Sequence, residues 1–131
     1  MLIPDAVHRE VVYNTKDHGQ SEAISKCDFI QVHSILSEQF VFSRQIDKGE
    51  AEAIILAIAL NANYLLLDDK RAQKEAIPNG INLISTFSVV LKAAQKGYIS
   101  DIDSVITELQ QKNIFLNREL SLAAKSFLDL N

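Results

Sequence analysis

Apolar and polar positions follow two different periods along this chain, and the changes of period mark out its elements. The densest stretch runs from Asp47 to Asp69. Between Ala51 and Ala62 only Glu52 and Asn61 are polar, so the helix expected there is apolar nearly all round and belongs in a core. Asp47, with Glu50 three residues on, predicts a capping box at its start. Tyr64 to Leu67 is an unbroken apolar run, the pattern of a strand covered on both faces. Asp68 and Asp69 follow at its carboxyl end, where open α/β sheets place their ligand sites.

The rest of the chain reads around that centre. Met1 to Ile3 is a stub too short for an ordinary strand, and Pro4 suits the first turn of a helix to about Tyr13, with Glu10 on a half-apolar face. A polar loop from Thr15 leads to a short helix over Ser21 to Lys26, then a strand at Phe29 to Ile35 with alternating faces. Leu36 to Gln45 shows no period. Lys70 to Ala76 reads as a short helix stopped by Pro78 and Gly80, and Ile81 to Ile84 as a short strand. Ser85 or Thr86 caps a helix to about Lys96, and two further helices, about Asp101 to Lys112 and Asn117 to Leu130, close the chain. Helices alternating with strands predict an α/β core with a mainly parallel sheet, about residues 1–97 of one domain of 131 residues, with a C-terminal helical hairpin packed on it over about 98–131.

Composition changes this picture little. Hydrophobic content of 47% and charged content of 23% are those of a globular chain rather than a disordered one. No apolar run reaches the roughly 18 residues of a membrane span, and no leader pattern follows Met1, so a cytoplasmic protein with no membrane contact is expected. The net charge of −4 argues against a broad basic face for nucleic acid, but leaves room for a local groove. Cys27 is the single cysteine, which excludes an internal disulfide and a cysteine-based zinc cluster. His8, His18 and His33 lack metal-site spacing, and the four glycines are too scattered for a phosphate loop.

Candidate chemistry therefore rests on acids. Glu10, Glu52 and Asp69, or Asp68, stand where a carboxylate needs a cation or several donors nearby. Converging carboxylates suit Mg²⁺ or Mn²⁺, which can activate water and offset charge at a phosphodiester. Each acid also has a structural role open to it: Glu10 at the surface, Glu52 on the helix dipole, and either aspartate as a cap for the helix from Lys70. Glu50 reads as a helix cap facing away from Glu52. Lys70, Arg71 and Lys74 form a small basic cluster that could steer a phosphate backbone or simply be solvated.

The run Ile3-Pro4-x-x-Val7-x-x-Glu10, then Gly49-Glu50-Ala51-Glu52-Ala53-Ile54, then Leu65-Leu66-Leu67-Asp68-Asp69-Lys70-Arg71-Ala72, resembles the PIN-domain superfamily. More narrowly it resembles a family of uncharacterised prokaryotic PIN-like proteins, of the DUF3368 type. The likeness extends through Thr86-Phe87-Ser88-Val89-Val90-Leu91 into the helical tail. It implies a three-layer α/β/α sandwich and the class of Mg²⁺- or Mn²⁺-dependent endoribonucleases, among them toxins of toxin–antitoxin pairs. Glu10, Glu52 and Asp69 would then be catalytic metal ligands, with Asp68 a competitor, and RNA and an antitoxin-like protein would be the partners.

The resemblance departs from the family at one place. There a strand ending in an acid, followed by a helix, precedes the Pro-x-x-Val-x-x-Glu block, whereas this sequence starts at Met1-Leu2-Ile3. Without that strand the site lacks its first acid and the sheet keeps two open edges. Either the reading frame starts further upstream, or this is a truncated relative that repairs its sheet as a homo-oligomer and acts through protein contacts without catalysis.

Overall fold

The computed structural model describes residues 1–35 and 40–112. It is a mixed α/β fold with parallel strand pairing and helices toward the C-terminus. The residues group into two compact units, Met1–Ile84 and Ser85–Asn131. The helix after Ser85, read from sequence as part of the α/β core, thus falls in the second unit.

The first unit opens with β1 (Leu2–Pro4), where the sequence pattern predicts only a stub. It is a genuine strand, paired in parallel with β2 (Gln31–His33). Pro4 is tolerated because alternate residues of a parallel strand address one neighbour, and Pro4 does not address β2. The helix that follows is divided: α1 (Asp5–His8) passes into a π-helical turn, Arg9–Tyr13, closed by the Asn14 N–H on the Arg9 carbonyl at 2.9 Å. Next, α2 (His18–Ser25) starts three residues before the expected Ser21, because Asp17 accepts the Gln20 N–H at 3.0 Å and caps it.

The core is built around α3 (Lys48–Ala59), buried as its composition requires. Ile54 and Ala57 pack with Leu65 and Leu67 of the next strand segment and with Ala72 and Ala76 of α4 (Lys70–Ala76). The strand itself, β3 (Leu65–Leu66), pairs in parallel with β4 (Leu83–Ile84). It is not covered on both faces as expected: Leu65 and Leu67 are buried, while Tyr64 and Leu66 are 64% and 40% exposed. Only the face toward α3 and α4 is packed.

A loop segment is tied down on α4. Buried Glu75 accepts from the Ser43 hydroxyl at 2.7 Å, the Ser43 N–H at 3.2 Å and the Arg44 guanidinium at 2.9 Å. These donors, the Ser43 hydroxyl first, hold its carboxyl below the usual range against the opposing effect of burial.

In the second unit, α5 (Thr86–Gln95) is capped by Ser85, one of the two residues the sequence offers, and α6 (Ile102–Gln111) is capped by Asp101. The last expected helix, Asn117 to Leu130, lies outside the described residues. No helix among the described residues is long and apolar enough to cross a membrane.

Candidate functional site

The carboxyl ends of β1 and β3 both meet the first turns of α3, and that is where the acids gather. Just past β1, the Ala6 N–H donates to Glu52 Oε2 at 2.9 Å. Just past β3, Asp69 stands close enough to Glu50 to act on its charge. Between them Gly49 does what a larger residue could not. A Cβ on Gly49 would sit 2.6 Å from Glu10 Oε1, so the missing side chain is what lets the π turn lay the Glu10 carboxylate against the head of α3. A glycine inside a helix costs roughly 0.5–1 kcal/mol relative to alanine, which makes its place in this first turn informative.

Glu50 is where the charges meet. Its carboxylate accepts the Asp47 N–H at 3.0 Å and closes the expected capping box. Burial, opposed by that bond and reinforced by the charges of Asp69, Asp47 and Glu10, holds its carboxyl above the ordinary range. Beside it lies an open cleft of about 250 Å³ lined by Gln45, Ile46, Asp47, Glu50, Asp69 and Arg71.

The residues singled out from sequence are thus distributed unevenly. Glu10 and Asp69 come to this acidic head. Asp69 also caps α4, its Oδ1 accepting the Arg71 and Ala72 N–H groups at 2.8 and 2.9 Å. Asp68 is exposed at the end of β3. Glu52 is buried, bonded to the Ala6 N–H and 3.8 Å from the Lys48 ammonium, so its carboxylate joins α3 to α1. Of the basic cluster, Arg71 lines the cleft, and Lys70 and Lys74 are exposed on α4. Sequence reasoning missed Asp47 and Glu50 as members of the group, having given both to capping. The signal available was Gly49 beside them.

An ion in this cleft would need several of these oxygens at once. Among the described residues, no group of three or more His, Cys, Asp or Glu side chains could hold a metal as placed. One oxygen of Asp69 and one of Glu50 are already committed to backbone N–H groups. An ion there would be held by the remaining carboxylate oxygens.

Comparison with known proteins gives one family: its model, described as DUF3368, a PIN domain, matches residues 1–128. No curated protein and no solved structure matches the chain.

Proposed function

The chain belongs to the DUF3368 family of PIN domains, and from that membership we propose that it is a PIN-like module acting through protein contacts, homo-oligomerisation included, without catalysis. One observation carries this reading: two of the carboxylates that the resemblance assigns to a metal serve the chain's own backbone, Glu52 on Ala6 and Asp69 on Arg71 and Ala72. A carboxylate spent on capping stabilises the fold and leaves fewer oxygens for an ion. Among the described residues β1 and β3 each pair on one side only, and their other edges supply surfaces for association. The test is purified protein incubated with single-stranded RNA and Mn²⁺ or Mg²⁺, alongside Asp69→Asn. Cleavage no greater than that of the variant, with assemblies seen in sedimentation, is the expected result. Metal-dependent cleavage that the substitution abolishes overturns it.

A second reading is the Mg²⁺- or Mn²⁺-dependent endoribonuclease of the toxin class, acting on RNA and restrained by an antitoxin-like protein. The gathering of Asp47, Glu50 and Asp69 on one cleft, with the Glu10 charge acting on Glu50 and Arg71 at hand for a phosphate, favours it. A bound ion would supply charge neutralisation and a more acidic water there. It requires the side chains to regroup, and Mn²⁺ titration that shifts the carboxyl signals of Glu10 and Asp69 together is the expected sign.

A further inference from the structure

The chain approaches α3 through residues 40–46, which belong to no helix or strand. Only Phe42 and Ile46 of this segment pack against the core, while Val41 is 96% exposed and Ser43, Arg44 and Gln45 are exposed as well. Among the described residues, no backbone–backbone hydrogen bond joins the segment to the rest of the chain. Its polar attachment is to a single side chain. Glu75 Oε1 accepts from the Ser43 hydroxyl and the Arg44 guanidinium, and Glu75 Oε2 accepts the Ser43 N–H. Both oxygens of a buried carboxylate are thus spent on two successive residues of one loop, more than thirty positions away in sequence.

The other end of the segment is fixed separately, at Asp47, whose N–H is held by Glu50 in the capping box of α3. Next to that anchor, Gln45, Ile46 and Asp47 share the lining of the cleft with Glu50, Asp69 and Arg71. Glu75 does not line the cleft. It stands four residues beyond Arg71 on α4, which places it on the same face, about 6 Å further along the helix axis. Two extended residues cover about 7 Å, enough to take the chain from Ser43 at Glu75 back to Gln45 at the cleft. The segment therefore follows α4, and its hold on Glu75 sets where that side of the cleft stands.

We propose that residues 43–46 form a strap that Glu75 latches and that lifts as a unit while α3 and α4 stay folded, which makes Glu75 a positioning residue for a cleft it does not touch. A stretch with few buried apolar side chains and no ladder bonds opens at lower cost than a helix such as α3, whose Ile54 is fully buried. The latch consists of bonds to an ionised carboxylate, the stronger kind, so this one side chain decides how often the strap lifts. Release moves Gln45 and Ile46, while Glu50, Asp69 and Arg71 stay with their helices. The cleft then keeps its charges and widens. This device depends on neither functional reading above.

Hydrogen exchange on the full chain, followed through low concentrations of urea, tests it. The Ser43 amide is expected to exchange about tenfold or more faster than the Leu56 amide of α3, and to ignore urea that accelerates Leu56, because lifting the strap exposes little surface. Glu75→Ala should speed Ser43 exchange by about tenfold or more. A spin label on Gln45→Cys, in a Cys27→Ser background, should broaden the Lys70 and Arg71 amide signals, and adding Glu75→Ala should relieve that broadening while the α3 and α4 signals keep their positions. A Ser43 amide that shares the rate and urea dependence of Leu56 overturns the proposal, because the strap then opens only with the whole molecule. So does broadening that persists in Glu75→Ala. Should that variant fail to fold, the urea dependence in the unsubstituted chain decides. None of these outcomes touches the protein-contact reading, which falls only to metal-dependent RNA cleavage.

Discussion

The head of α3 carries two glutamates, two residues apart, that look in different directions and live in different surroundings. Glu52 faces α1, is buried, and has been given donors: the Ala6 N–H and, at longer range, Lys48. Glu50 faces the cleft, and its partial burial first, then the neighbouring acids Asp69, Asp47 and Glu10, hold its proton more tightly than usual. A buried carboxylate with donors is part of the scaffold, because removing it strands a partner. A carboxylate among carboxylates is a store of unbalanced charge, which something outside the molecule can relieve. Burial alone thus points to the wrong member of the pair when a binding site is sought.

The contrast can be broken most forcefully at Glu52. Glu52→Ala leaves the Ala6 N–H without its acceptor, and a loss of about 1–3 kcal/mol is expected in urea unfolding. A loss below that, with α1 intact by NMR, would put Glu52 in the same class as Glu50. Glu75 tests the scaffold half by pH. Its folded pKa is lowered, so its contribution is present above the ordinary carboxylate value of 4.5 and is lost as pH falls through the lower folded one. Glu75→Gln should therefore be less stable than the parent at neutral pH, and the two unfolding curves should converge on acidification.

Effects on the cleft side should be smaller or of opposite sign. Gly49→Ala gains helix propensity, roughly 0.5–1 kcal/mol, but its Cβ needs the space that Glu10 occupies. Thermal unfolding should show unchanged or raised stability while the Glu10 carboxyl signal moves, and an unmoved signal would contradict the close approach. Smallest of all is Glu50→Gln, since glutamine can keep the capping-box bond while the repulsion disappears. Glu50 is half-buried beside an open cleft, where solvent screens much of the repulsion, so the gain at neutral pH should stay under about 0.5 kcal/mol. Its folded pKa is raised. The gain should therefore be complete above that folded value and vanish as pH falls below the unfolded one.

Much of the fold was readable before any coordinates. The apolar run from Ala51 announced α3, and Asp47, Asp69 and Ser85 announced their helices as caps. What escaped was decided by partners distant in sequence. A three-residue β1 has too little pattern to be seen until Gln31 to His33 lies beside it. The π turn leaves no periodic signature because it is a single wide turn, Arg9–Tyr13, within one short helical stretch. Glu50 was hidden by its own capping role, which local reasoning explains fully and so does not question. Asp69 shows that one side chain can hold both roles at once.

Pro4 has one more consequence. It stands at the end of β1 on the open side and has no N–H to offer there. An added strand can bond Leu2 but must break register at Pro4, so the edge cannot serve as a template for the long, uniform stacking that leads to fibres. The chain tolerates an exposed edge because one imino acid sets the length of anything that can adhere to it.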